Sequence, residues 1–103
     1  MQIKKIETKI TTYQLTDNFF AEAQETMSAG EEVIDLWLYH KRYGVKAYMS
    51  GIKKSYIPAD CFEPTLMDLI ERQAKEHMRL YHKDHMDYNL AEKNEIDAFC
   101  GVK

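Results

Sequence analysis

The residues best suited to hold a metal or move a proton gather in "EHMRLYHKDHMDYN", residues 76–89. His82 and His85 stand at i and i+3, so on a helix both imidazoles can reach one divalent ion. His77 lies about 140° from His82 around such a helix, at about 100° per residue, and does not join them. A third ligand has to come from Asp84, Asp87 or a cysteine, and no HExxH pattern is present. The plainer use of such a pair is charge at a helix C-terminus, where the dipole favours imidazolium.

Other routes to catalysis find less support. Ser50 precedes Gly51 but has no GxSxG around it. Cys61 and Cys100 lack a motif that would lower their pKa, and no Gly-rich phosphate loop exists. Glu31 and Glu32 are adjacent at the start of a strand and so face opposite ways. The sequence calls for no cofactor. It leans away from an enzyme, with a metal-dependent one built on His82 and His85 as the alternative.

A different chemistry sits in "LWLYHKRYGVKAYMSGIKKSY", residues 36–56, which mixes aromatic and basic side chains without one acid. Residues 36–59 carry a net charge of +5, while residues 1–35 and 60–103 each carry −4. A basic centre of this kind binds an anion or attracts the acidic parts of its own chain. Alternation through Ile34, Leu36 and Leu38, then Val45, Ala47 and Met49, predicts a β-hairpin turning through residues 41–44. If 40 pairs with 45, Leu38 meets Ala47 and Leu36 meets Met49, giving one apolar face. The other face then holds Trp37 opposite Tyr48, Tyr39 opposite Lys46 and Asp35 opposite Ser50. With Lys53 and Lys54 nearby, Trp37, Tyr39, Lys46 and Tyr48 form the candidate binding face. Aromatic anchors suit a protein partner, and the same rings beside lysine suit single-stranded nucleic acid. No RNP-like motif is present and the net charge is −3, so nucleic acid is the lesser expectation.

These groups need a scaffold. A chain of 103 residues, 45% hydrophobic and 12% aromatic, is expected to fold as one domain spanning residues 1–103. The first residues contain no continuous apolar run of the signal-peptide kind, and no stretch is long enough to span a bilayer, so the cytoplasm is the expected compartment. Lysine outnumbers arginine, as in proteins from AT-rich bacterial genomes. Two cysteines fit reduced thiols there, although one bridge is also compatible with the spacing.

Ile3–Leu15 reads as a strand, with a β-bulge near Thr11–Thr12 to bring Ile10, Tyr13 and Leu15 to one side. "TDNFFAEAQETMSAG" reads as a helix over 17–29, capped by Thr16 or Asp17, ended by Gly30 and buried through Phe20, Ala23 and Met27. A long helix follows Pro64, with Thr65 and Asp68 as its capping box, running to about Tyr88 through Met67, Ile70, Ala74, Met78, Tyr81 and His85. Arg72, Lys75, Arg79 and Lys83 lie within about 80° of one another on it, as on a solvated face. Asn89 and Glu92 open a short final helix that ends at Gly101. The fold class is therefore α+β: a small antiparallel sheet of strand, helix and β-hairpin order, packed on a long helix, with a short final helix. A long helix of about 24 residues spans ~36 Å, more than the sheet, and its far end must be covered by the last helix or by a homodimer. The expected function is a small non-catalytic bacterial binding or regulatory module that contacts another protein, with no membrane partner.

Overall fold

The computed structural model of the chain describes residues 9–101. It is an α+β fold in two layers. Four strands, β1 (Lys9–Gln14), β2 (Phe19–Ser28), β3 (Glu31–His40) and β4 (Ala47–Lys53), form an antiparallel sheet in the order β1-β2-β3-β4. Two short 3-10 turns, Lys54–Tyr56 and Ala59–Cys61, lead into α1 (Phe62–His85), and α2 (Leu90–Cys100) follows. Among these residues no helix is long and apolar enough to cross a membrane.

The helix expected over 17–29 is instead β2. Its burial has period two: Phe19, Ala21 and Ala23 point into the core, while Phe20 and Gln24 are only half-buried on the opposite face. Pairing with strands on both sides supplies ladder hydrogen bonds that outweigh the helix propensity of Ala, Glu, Gln and Met. Ala29 and Gly30, at φ 50° and 79°, make the two-residue turn into β3; positive φ at both positions matches the twist of the flanking strands.

The strand expected over Ile3–Leu15 is found over Lys9–Gln14, and residues 3–8 of that expectation lie outside the described residues. Its bulge is absent: Lys9 to Gln14 pair with Glu25 to Phe20 in unbroken register. Ile10 therefore points away from the helices and is 55% exposed, while Tyr13 and Leu15 pack toward the core.

The bulge lies in β4 instead. Leu38 pairs with Ala47 and Trp37 with Tyr48, as the sequence predicts, but Leu36 then pairs with Ser50 rather than Met49, and Asp35 with Gly51 rather than Ser50. The extra residue has a clear use. An unbroken pleat would send Ile52 to the face opposite Ala47 and Met49; the bulge returns it to the core side, opposite Ile34. The strand also begins later than expected, so Val45 and Lys46 belong to the turn and Val45 is exposed.

Both helices lie on the side of Ile34, Leu36 and Leu38. α1 packs against β3 and β4 through Leu66, Ile70, Ala74, Met78 and Tyr81. Of the expected stripe, Met67 and His85 are exposed, and Tyr88 lies beyond the helix end at 74% exposure. The proposed capping box does not form; Pro64 sits in the first turn, and Thr65 Oγ1 donates to Cys61 Sγ. Asn89 does cap α2, accepting from the backbone of Ala91 and Glu92, and Gly101 ends it at φ 76°. α2 packs on α1, joined by Arg79–Asp97 at 2.9 Å and burying Ile96. The last helix thus packs along α1 around Lys75 and Arg79, while Leu80 and Tyr88 toward the far end stay exposed.

Candidate protein-binding face and the buried polar clamp

The face of the sheet opposite the helices carries rows of side chains, because residues paired across antiparallel strands share a face. One row is Gln14, Phe20 and Tyr39; the next is Thr12, Glu22, Trp37 and Tyr48; the third is Ile10, Gln24, Asp35 and Gly51. Four aromatic rings meet in the first two rows. Phe20 and Tyr39 stack at 5.4 Å between centroids, and Trp37 meets Tyr48 edge-on at 5.3 Å. Tyr48 is half exposed, Trp37 and Tyr39 are half-buried, and both described helices lie on the other face.

Glu22 lies within this patch, nearly buried, bonded to Lys46 at 2.8 Å and to the Gln24 amide at 2.7 Å. Burial opposes its ionisation, but the hydrogen bonds from Lys46 and Gln24 and the lysine charge outweigh that and hold its pKa below the ordinary value. Lys46 also hangs over the Tyr39 ring, 6.0 Å from its centroid. Burial, then the charge of Asp35, raises the Tyr48 pKa. Gly51 leaves the space for these two groups: a Cβ there would lie 2.6 Å from the Tyr48 hydroxyl and 3.0 Å from Asp35 Oδ1. The Trp37 indole Nε1 is enclosed and has no hydrogen-bond partner.

Of the six residues expected to bind, Trp37, Tyr39, Lys46 and Tyr48 come together. Lys53 stands at the far end of the same face, 3.1 Å from Glu31. Lys54 does not belong to the face. It follows β4 and turns to the helix side, where it meets Glu25 at 3.0 Å and Glu32 at 3.7 Å and lies over the Phe62 ring. The hydrogen bond and charge of Glu25 raise its pKa. The acid-free stretch is thus largely neutralised by acids from elsewhere in the chain, since Arg42 also pairs with Glu92. Those partners come mostly from strands rather than from helices.

His82 and His85 do not converge on one point. The His82 ring tilts against Tyr88 and its Nε2 is buried without a partner, whereas exposed His85 lies against the Tyr81 ring. Among the described residues no group of three or more His, Cys, Asp or Glu side chains is placed to hold a metal ion. Cys61 and Cys100 are unbridged. Arg72 and Lys75 pair with Asp68 and Glu71 one turn earlier, as the solvated-face reading expects.

A second polar cluster escaped the sequence reading. His40 is 1% exposed, and its parity with Ile34, Leu36 and Leu38 is the signal that could have found it. Its Nδ1 accepts from the Arg42 backbone at 3.1 Å, which leaves Nε2 as the protonated nitrogen, 3.5 Å from Glu92 Oε1. The Arg42 guanidinium bonds the same Glu92 oxygen. Tyr81 completes the clamp: its hydroxyl accepts from the His40 backbone at 3.1 Å and donates to the Val45 carbonyl at 2.6 Å. Lys41 N donates to Asn18 O, and Asn18 is itself bonded to Glu95. Strand end, hairpin turn and both helices are thereby tied together.

Burial lowers the His40 pKa; Glu92 and Glu95 oppose the shift, and Arg42 and His82 add to it. The unfolded chain, with an imidazole near 6.5, accordingly binds a proton that native His40 resists. Stability from this group is full above about pH 6.5 and is lost as pH falls from there toward the folded value. The urea midpoint of the wild type should drop between pH 7.5 and 5.5, and the drop should shrink in His40→Asn. Equal drops in the two proteins would assign the effect to other groups.

No protein-family model matches the chain, and neither does a curated protein or a solved structure.

Proposed function

We propose that the chain is a small non-catalytic binding or regulatory module that holds a protein partner against the outer face of its sheet. The observation that carries this reading is the cluster of Phe20, Trp37, Tyr39 and Tyr48 on a face that neither described helix covers. Half-exposed aromatic rings around a fixed ion pair resemble an interface centre, where large rigid side chains supply most of the binding energy. The Glu22–Lys46 pair, already formed at 2.8 Å, gives the face polar groups in set positions without a net charge of its own.

Single-stranded nucleic acid is the second reading, favoured by the same rings beside Lys46. It is weakened by the pairing of Lys46, Lys53 and Lys54 with acids of the chain, which leaves little free positive charge to displace counterions.

With the partner captured from the native host, Tyr39→Ala should weaken binding by about 2 kcal/mol, roughly thirtyfold. Lys46→Ala should cost less and act mainly on the association rate. Trp37, the single tryptophan, should lose accessibility to acrylamide when the partner binds. Unchanged affinity in a folded Tyr39→Ala variant would remove the platform. Affinity for an oligonucleotide that falls steeply with salt would transfer it to the second reading.

A further inference from the structure

The two edges of the sheet are built differently. β4 is protected against pairing: it carries the bulge at Met49–Ser50, a glycine at 51 and Lys53 at its end. β1 has neither the bulge nor the glycine. It is six residues of regular strand, KITTYQ, with no proline, no bulge and one lysine. Leu15 N donates to Phe19 O, and the alternation of antiparallel ladders then directs the bonds of Lys9, Thr11 and Tyr13 toward β2. The backbone groups of Ile10, Thr12 and Gln14 therefore point outward.

Beside this edge runs a groove of about 700 Å³ between β1 and α1, walled by Tyr13, Leu15, Pro64, Met67 and Ile70. Met67 is 54% exposed there. Asp68 and Glu71 also line it, each in an exposed ion pair one turn on, with Arg72 and Lys75 at 3.1 Å.

We propose that β1 is a dimerisation edge, pairing antiparallel with β1 of a second copy about a two-fold axis at Thr12. This register is the one in which all three outward residues find partners: Thr12 with Thr12, and Ile10 with Gln14 twice. About six backbone hydrogen bonds form. On the helix side the same register sets Thr11 of the second copy against Tyr13, and its Lys9 against Leu15, which lines the same groove as Asp68 and Glu71. The second copy's lysine thereby joins two solvent-exposed carboxylates whose pairs on α1 are of the weak surface kind. Lys9 is 76% exposed and its ion pair with Glu25 is long, at 3.6 Å, so it can exchange that partner for the groove acids. An isologous contact of this kind closes on itself and leaves no β1 edge open, so it does not propagate into a fibre. It also makes one eight-stranded sheet with both aromatic faces on the same side. The proposal stands on the edge and groove alone and is independent of what the platform binds.

Sedimentation equilibrium of the wild-type chain from micromolar to several hundred micromolar should reveal a species of twice 12.2 kDa. Thr12→Pro removes an outward N–H and tolerates the edge position, so it should sediment as a monomer while keeping its far-UV spectrum. Should that variant unfold, Lys9→Glu provides the second check: it puts a like charge against Asp68 and Glu71 and should raise the dimer dissociation constant at least tenfold. A wild type that stays monomeric throughout, or a dimer whose dissociation constant is unmoved by Lys9→Glu, would overturn the proposal.

Discussion

Leu38→Ala should lower the free energy of unfolding by about 2–5 kcal/mol. Leu38 is fully buried, and its strand neighbours on both sides are alanines, Ala21 on β2 and Ala47 on β4. Neither neighbour has a longer side chain that could swing into the space, so the cavity would persist and the cost should lie toward the upper part of that range. Val45→Ala offers the contrast. That residue continues the same apolar alternation in the sequence but is 46% exposed in the turn, so its loss should change stability by no more than about 0.5 kcal/mol. Urea denaturation of the two variants at one pH decides the matter. A small loss for Leu38→Ala would mean that 38 does not face 47 in the folded chain.

That contrast also marks how far the sequence could be read. The hairpin was legible because Ile34, Leu36 and Leu38 alternate strictly and only one pairing keeps apolar opposite apolar around Leu38. The bulge was not, because it serves Ile52, whose parity differs from that of Val45, Ala47 and Met49, the residues that set the register. The middle of the long helix was legible from its periodicity through Ile70, Ala74, Met78 and Tyr81, and the start of α2 from Asn89, whereas the capping box and both ends of the stripe did not hold.

The segment 17–29 shows why local signals can be correctly seen and wrongly assembled. Thr16 does accept from the backbone N–H groups two and three residues on, as a helix cap would, at 3.4 Å from Asn18 and 3.0 Å from Phe19. Gly30 does adopt positive φ, as a helix C-terminus would. Both signals report a change of direction, and the chain uses them to turn a strand rather than to bound a helix. Phe20, Ala23 and Met27 match helical spacing, yet Phe19, Ala21 and Ala23 match a strand equally well in residues that favour helices. What decides is tertiary: β1 and β3 both pair with this segment. The consequence reaches the candidate site. A helix there could have covered Trp37; a strand instead adds Phe20 and Glu22 to the platform.

The buried clamp was hidden for a related reason, since its members are spread over the chain from His40 to Glu92 and no local pattern joins them. Its central member is Tyr81, and Tyr81→Phe should cost about 1–3 kcal/mol although the ring volume is nearly conserved. The hydroxyl is the acceptor for the His40 backbone N–H and the donor to the Val45 carbonyl. Removing it leaves the first group buried with no bond, while the second, at an exposed turn residue, can find water. The loss should therefore come chiefly from the His40 side. Burial raises the Tyr81 pKa, so the phenol stays neutral past pH 10, and its contribution should be constant across the range in which His40 titrates. Urea midpoints of Tyr81→Phe at pH 7.5 and 5.5 should thus both sit below the wild type by similar amounts. Amide exchange should be faster at His40 in the variant, with the middle of β2 protected as before. A variant as stable as the wild type, with His40 equally protected, would mean that the turn is held by Glu92 and Asn18 without the tyrosine.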